Sequence, residues 1–206
     1  MSEPTPQTAK PSNWNVPNAL TVIRILLVPV FLVVLFVAPD DQGWRLAATA
    51  VFTVAILTDL ADGRIARKYN IVTDFGKLWD PVADKALTGA AFISLGILDE
   101  LYWWIIVVIL LREWGITWLR AAIAKYGIMP ANRGGKAKTV TQSVALILFL
   151  LWLPALPTVV QWIAWGLMIA ALVLTVVTGL DYIRQAMKIR REAIEKSAAG
   201  SDGPLG

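Results

Sequence analysis

Long stretches without a single charge alternate along this chain with short clusters of acids and bases. The uncharged runs are Ile25–Pro39, Leu46–Thr58, Ala86–Leu98, Leu101–Leu111 and Thr139–Leu180. A helix needs ~20 mainly apolar residues to cross the hydrocarbon core of a bilayer. The last run is therefore long enough for two helices, with Pro154 and Pro157 supplying the turn between them, because proline removes a helical N–H and clashes with the preceding turn. The other runs reach spanning length only when flanking charged residues are included. The pattern predicts six helices, at about 18–38, 43–68, 78–98, 101–124, 136–154 and 158–186, and with them an all-α polytopic membrane protein with six transmembrane helices.

Charge placement gives an orientation. At the junction of the first two helices Arg45 is the one base, beside Asp40 and Asp41, the loop between helices three and four holds Asp99-Glu100, and the last turn holds no charge. Of the 19 Lys and Arg residues, all but Arg45 and the in-helix Arg112 fall on the other side. Cytoplasmic loops carry the excess of bases, so both termini are expected in the cytoplasm of a multi-pass cell-membrane protein. Composition agrees: 57% of residues are hydrophobic, against ~45–50% in ordinary soluble domains. The net charge of +4 is modest, and no nucleic-acid partner is expected. Arg24 interrupts the start of the first apolar run, which argues against a cleaved signal peptide. Residues 1–13, with Pro4, Pro6 and Pro11, read as a disordered lead. Residues 14–190 form one six-helix membrane domain, and 191–206 a cytoplasmic tail that looks unstructured from about Ser197.

Against this apolar background stand four aspartates, Asp59, Asp62, Asp80 and Asp84, at the cytoplasmic ends of helices two and three. Charge beside hydrocarbon is costly and by default marks function. Residues three or four apart share a helix face, so Asp59 with Asp62, and Asp80 with Asp84, can each point into one space. The short connection Lys68–Lys77 predicts an antiparallel hairpin that brings the two pairs together. Four carboxylates in a low dielectric repel one another strongly unless a cation intervenes. The chain has no histidine and no cysteine, so the expected ions are hard and oxygen-seeking, Mg²⁺ or Mn²⁺, one or two of them, with open positions for phosphate oxygens. Gly63 and Ala66 remove bulk beside Asp62 and Arg67, and Gly76 opens the other side of the hairpin, where a flat nucleobase or ribose can approach the backbone. Small residues of this kind also serve tight helix packing in membranes.

The string Asp59-x-x-Asp62-Gly63-x-x-Ala66-Arg67-x8-Gly76-x3-Asp80-x3-Asp84 resembles in full the signature of the CDP-alcohol phosphotransferase family, eight fixed residues across 26 positions. The resemblance extends over roughly 15–190. It implies a six-helix membrane fold, a homodimer, and a Mg²⁺- or Mn²⁺-dependent transfer of a phosphatidyl group from CDP-diacylglycerol to an alcohol, with release of CMP. By the same likeness two ions are held by Asp59, Asp62, Asp80 and Asp84. Asp62, Gly63, Ala66, Arg67 and Gly76 surround the CDP moiety, and Asp84 also takes the proton of the acceptor hydroxyl. With no histidine, cysteine or obvious activated serine, direct in-line attack is favoured over a covalent route.

The remaining bases bear on the acceptor. Arg112 sits in helix four beside Glu113, and Arg120 lies eight residues, about two turns, further on. The segment Asn132-Arg133-Gly-Gly-Lys136-Ala-Lys138-Thr139 adds cations, and Thr139 and Gln142 add hydrogen-bonding groups. Such a cluster suits an anionic acceptor carrying a phosphate, while loop bases also enforce topology and meet anionic headgroups. Within the family, Pro17-Asn-Ala-Leu-Thr21-Val-Ile-Arg24, Leu111-Arg112-Glu113 and Gly135-Lys136-Ala-Lys138-Thr139-x-x-Gln142 resemble the phosphatidylglycerophosphate synthase branch. That likeness implies sn-glycerol 3-phosphate as acceptor, its phosphate held by Arg112, Arg120, Lys136, Lys138 and Thr139. Cardiolipin synthases of the same family, which use phosphatidylglycerol, share several of these motifs, and an inositol-phosphate acceptor is a third reading. Thr21 and Arg24 either line the nucleotide side or, for Arg24, extend a base toward the membrane surface. A transporter is the alternative of a different class, because buried acids also build ion pathways. Against it, the carboxylates gather at one membrane face and no inverted halves are visible.

Overall fold

Among the described residues, the uncharged runs and their charged flanks become six α-helices: α1 (Val16–Val37), α2 (Gln42–Tyr69), α3 (Asp74–Ile97), α4 (Trp103–Ile123), α5 (Arg133–Leu150) and α6 (Thr158–Ser201), with a 3₁₀ turn at Leu153–Ala155. The structure is a computed structural model that describes the backbone of residues 16–69, 74–124, 126–127 and 133–201, and the side chains of 19–58, 82–83, 85–124, 126–127 and 134–195. No strand occurs among the described residues. Among them, Ala19–Val37 and Thr158–Glu195 are long and apolar enough to cross a membrane, and the apolar part of α3, Lys85–Ile97, is shorter.

Boundaries differ from the sequence expectation by more than two residues at α3, α5 and α6; α5 spans Arg133–Leu150 instead of about 136–154, its expected end being taken by the 3₁₀ turn at Leu153–Ala155. Helix α3 begins at Asp74 instead of about 78; an acid at a helix start is favoured by the positive end of the helix dipole. Helix α6 runs to Ser201, well past the expected end near 186. The uncharged run stops at Leu180, but the charges farther along have helical spacing. Lys188 pairs with Glu192 at 3.9 Å and Arg191 with Glu195 at 2.7 Å, the i,i+4 arrangement that supports a solvated helix.

The chain divides into two compact units, the boundary falling between Ala90 and Ala91 within α3. In the first, α1 packs on α2 through Phe31, Leu35, Ala48, Phe52 and Ala55, all fully buried, with the Phe31 and Phe52 rings 5.6 Å apart. Asp41 caps α2, its Oδ1 accepting the N–H of Trp44 at 2.9 Å, which satisfies one of the orphan donors at a helix start. Arg45 is buried and its Nε donates to the Pro39 carbonyl just beyond α1. The opposite face of α1 exposes Val22, Leu26, Val30 and Val33, an apolar surface that suits lipid better than water.

In the second unit, α4 and α6 run parallel. Tyr102 meets Trp165, Arg112 meets Thr178, and Arg120 meets Tyr182, in the same order along both helices. Helix α5 runs the other way along α6: Phe149 stacks edge-on to Trp165 at 5.1 Å, and Gly135 lies beside the Tyr182 hydroxyl. The turn joining them passes through Trp152 in the left-handed region (φ 66°), an uncommon conformation for a bulky residue. It is tied to α6 by Gln161 Nε2, which donates to the Leu156 carbonyl at 2.9 Å.

Candidate active site

Helix α2 is unbroken from Gln42 to Tyr69 and α3 from Asp74 to Ile97. At about 3.6 residues per turn, Asp59, Asp62, Gly63, Ala66 and Arg67 follow i, i+3, i+4, i+7, i+8 and fall on one stripe of α2. Gly76, Asp80 and Asp84 stand four apart in succession and fall on one stripe of α3. The early start of α3 thus takes Gly76 out of the expected loop and sets it in helical register with the two aspartates. The side chains of all eight lie outside the described residues, as do those of Asn132 and Arg133. Among the described side chains, no three acids group closely enough to hold a metal ion.

A second polar group, fully described, lies among α4, α5 and α6. Glu113 Oε1 accepts from Arg112 Nη1 at 3.0 Å and also from Lys138 Nζ, so one carboxylate oxygen joins a base on α4 to a base on α5. Arg112 Nη2 donates to Thr178 Oγ1 on α6 at 2.7 Å. The exposure of these side chains is low: 4% for Lys138, 14% for Arg112 and 19% for Glu113. The ring of the buried Tyr182 takes the Arg120 guanidinium at 4.6 Å and that of Arg112 at 5.8 Å, distances at which a cation is attracted to the π face. Arg112 reaches Thr178 by crossing α6 at Gly179, where a Cβ would lie 3.2 Å from Arg112 Cγ and 3.6 Å from Nε. Arg112 and Gly179 also border a groove of about 490 Å³ between α4 and α6, lined otherwise by apolar residues such as Leu111, Ile116, Leu119 and Val176.

Arg112 and two residues one helical turn from Lys138 and Thr178 retain unused hydrogen-bonding capacity. Arg112 Nε, Gln142 Oε1 and Thr175 Oγ1 are buried without a hydrogen-bond partner among the described residues. A buried polar atom left unsatisfied costs about 1–3 kcal/mol, so the open donor on Arg112 favours the arrival of a polar ligand or water.

Of the residues expected at the acceptor, Arg112, Arg120 and Lys138 are drawn together here. Lys136 and Thr139 are not: both are exposed on α5, and the Thr139 hydroxyl donates to the Gly135 carbonyl at 3.1 Å. On a helix, Lys136 and Thr139 point about 200° and 100° away from Lys138. Arg24 and Thr21 are both buried in the first unit; a base extended toward the membrane surface would be exposed, so the snorkelling reading of Arg24 is set aside. Sequence reading passed over Thr178, Gly179 and Tyr182, which lie in and beside the uncharged run. Their i, i+1, i+4 spacing is the helical signal that marks them as one face.

Residues 14–177 match the family model for CDP-alcohol phosphatidyltransferase. The chain is 45% identical over 175 residues to a probable phosphatidylglycerophosphate synthase of Mycobacterium tuberculosis (strain ATCC 25618 / H37Rv), covering 84% of this chain and 82% of that one. It is 41% identical over 150 residues to the CDP-diacylglycerol–glycerol-3-phosphate 3-phosphatidyltransferase of Bacillus subtilis (strain 168), covering 67% and 77%. In fold it is similar to the apo crystal structure of the Mycobacterium tuberculosis phosphatidylinositol phosphate synthase, with a TM-score of 0.56, 20% identity and coverage of 82% and 90%. With a family model spanning most of its length and relatives of this identity, the chain belongs to the CDP-alcohol phosphatidyltransferase family.

Proposed function

We propose that this protein transfers the phosphatidyl group of CDP-diacylglycerol to sn-glycerol 3-phosphate, yielding phosphatidylglycerophosphate and CMP. Family membership supports the reaction type, and relatives that bear this activity in their names support the acceptor. The observation that carries the acceptor assignment is the low-exposure Arg112–Lys138 pair with its unpartnered Arg112 Nε. A planar guanidinium with a free donor edge beside an ammonium is suited to a phosphate monoester.

The donor set on α2 and α3 fits a hard divalent cation, because its only strong ligands are carboxylates placed on one stripe of each helix. Asp59, Asp62, Asp80 and Asp84 would hold Mg²⁺ or Mn²⁺, two ions by family likeness, which when bound polarise the pyrophosphate and stabilise the departing CMP. Asp62, Gly63, Ala66, Arg67 and Gly76 border the CDP moiety. Asp84 accepts the proton of the acceptor hydroxyl as its oxygen bonds to the phosphatidyl phosphorus and the bond from phosphorus to CMP breaks. Arg112, Lys138 and Arg120 hold the acceptor phosphate during that attack. Six helices span the cell membrane with both termini and the site on the cytoplasmic side, as the placement of bases supports, and the enzyme works as a homodimer.

The test is purified protein with labelled CDP-diacylglycerol, offered glycerol 3-phosphate, inositol phosphate and phosphatidylglycerol in parallel with added Mg²⁺ or Mn²⁺. Labelled lipid phosphate and CMP are expected with glycerol 3-phosphate. Product formed only with phosphatidylglycerol or only with inositol phosphate overturns the acceptor, and no CMP release with any acceptor overturns the reaction.

A further inference from the structure

We propose that Glu113 is a positioning residue for the acceptor phosphate, its carboxylate holding the Arg112 guanidinium and the Lys138 ammonium side by side where their own repulsion would part them. The inference rests on the assignment of that phosphate to Arg112 and Lys138.

Three observations carry it. A single oxygen, Glu113 Oε1, takes both Arg112 Nη1 and Lys138 Nζ, so the two cations are neighbours because they share it. Adjacent helical residues diverge by about 100°, so Arg112 and Glu113 meet only by bending toward a common point, and that point is where Lys138 arrives from α5. The surroundings contribute neutral groups to the same arrangement: Thr178 accepts one arm of Arg112, and the Tyr182 ring lies against its guanidinium. Two cations of low exposure on different helices repel strongly. With Glu113 the trio carries one net positive charge, which removes that repulsion and still attracts a phosphate monoester of nearly two negative charges at neutral pH. Because Arg112 Nε stays unpartnered in this arrangement, the carboxylate orients the guanidinium without occupying all of its donors.

Glu113 therefore acts through the two bases and not on the reacting atoms, and its loss is expected in acceptor binding. Glu113→Gln raises the KM for glycerol 3-phosphate by about 10-fold or more, as misplaced binding groups do, with kcat and the KM for CDP-diacylglycerol each changed by less than about threefold. Competitive inhibition by inorganic phosphate weakens in parallel. Glu113→Asp keeps the charge on a shorter stem and recovers part of the loss. In a Lys138→Gln background the Glu113→Gln step costs less than in the native enzyme, because one of the two groups it organises is gone.

The opposite results are distinct. Should Lys138→Gln leave the glycerol 3-phosphate KM unchanged, the acceptor site itself lies elsewhere. Should Lys138→Gln raise that KM while Glu113→Gln and Glu113→Asp do not, the acceptor site stands and the role of Glu113 fails. A fall in kcat with both KM values shifted together, alongside a lower melting temperature, assigns Glu113 to general folding and also overturns the inference. Where Glu113→Gln does not accumulate, Glu113→Asp and the phosphate inhibition constant decide alone.

Discussion

The stripes on α2 and α3 set four aspartates against a single signature arginine, Arg67. The cluster among α4, α5 and α6 sets Arg112, Arg120 and Lys138 around one bridging acid, Glu113, with Thr178 and Tyr182 beside them. Both regions place charge in a chain dominated by hydrocarbon, yet they treat it in opposite ways. The basic cluster is largely reconciled by its own neighbours: an acid, a hydroxyl and an aromatic ring each take a share. The acidic stripes carry four carboxylates to one signature base, and the proposed divalent ions would offset that excess. With three bases to one bridging acid, the basic cluster keeps a net positive charge for an anionic substrate.

That contrast can be broken at several points. The largest effect is expected in the acidic region: Asp84→Asn lowers CMP release by at least about 10³-fold, within the range of a lost general base, while equilibrium binding of CDP-diacylglycerol is kept. Full activity in that variant removes Asp84 from proton transfer. Chelation of divalent ions is expected to abolish turnover, with recovery on adding Mg²⁺ or Mn²⁺; turnover that persists in chelator would place the acids outside the chemistry. In the basic cluster, Arg112→Ala is expected to lower kcat/KM for glycerol 3-phosphate by about 10²-fold or more, the scale for truncating a hydrogen-bonded partner of a buried charge pair, with the KM for CDP-diacylglycerol nearly unchanged.

Smaller effects sharpen the geometry. Gly179→Ala places a methyl against Arg112 Cγ, and overpacking costs about 1–3 kcal/mol, so the KM for glycerol 3-phosphate is expected to rise about tenfold with little change in kcat. The least effect is expected from Lys136→Ala, less than about twofold in the same KM, because an exposed base is screened by solvent and salt. A tenfold rise there would return Lys136 to the acceptor site.

Much of the all-helical fold was legible because long uncharged runs with charged flanks and two prolines leave few other solutions, and the Asp59-to-Asp84 string names its own spacing. Helix ends were less so. Asp74 starts α3 and the Lys188–Glu192 and Arg191–Glu195 pairs extend α6, and neither event leaves a mark in hydrophobicity. For the acceptor cluster, the sequence offers the charges but not their directions. Lys136, Lys138 and Thr139 look equivalent in a line of letters, and one turn of helix buries Lys138 and exposes the other two. Glu113 beside Arg112 reads as an ordinary neighbouring pair until α5 delivers Lys138 to the same oxygen. Thr178 and Tyr182 gain their roles only from what α4 places opposite them.

Helix α6 runs from Thr158 to Ser201 without a proline, which gives it a phase as well as a length. Trp165 is seated between Phe149 and Tyr102, and the azimuth of Thr178 and Tyr182 is counted from that seat. One residue inserted between 166 and 177 would turn both away from their partners by about 100°, however well the inserted side chain suited lipid. The same insertion beyond 186 would leave their heading untouched. The spacing of thirteen residues from Trp165 to Thr178 is thus a dimension of the site, although most of the residues that fill it are plain hydrocarbon.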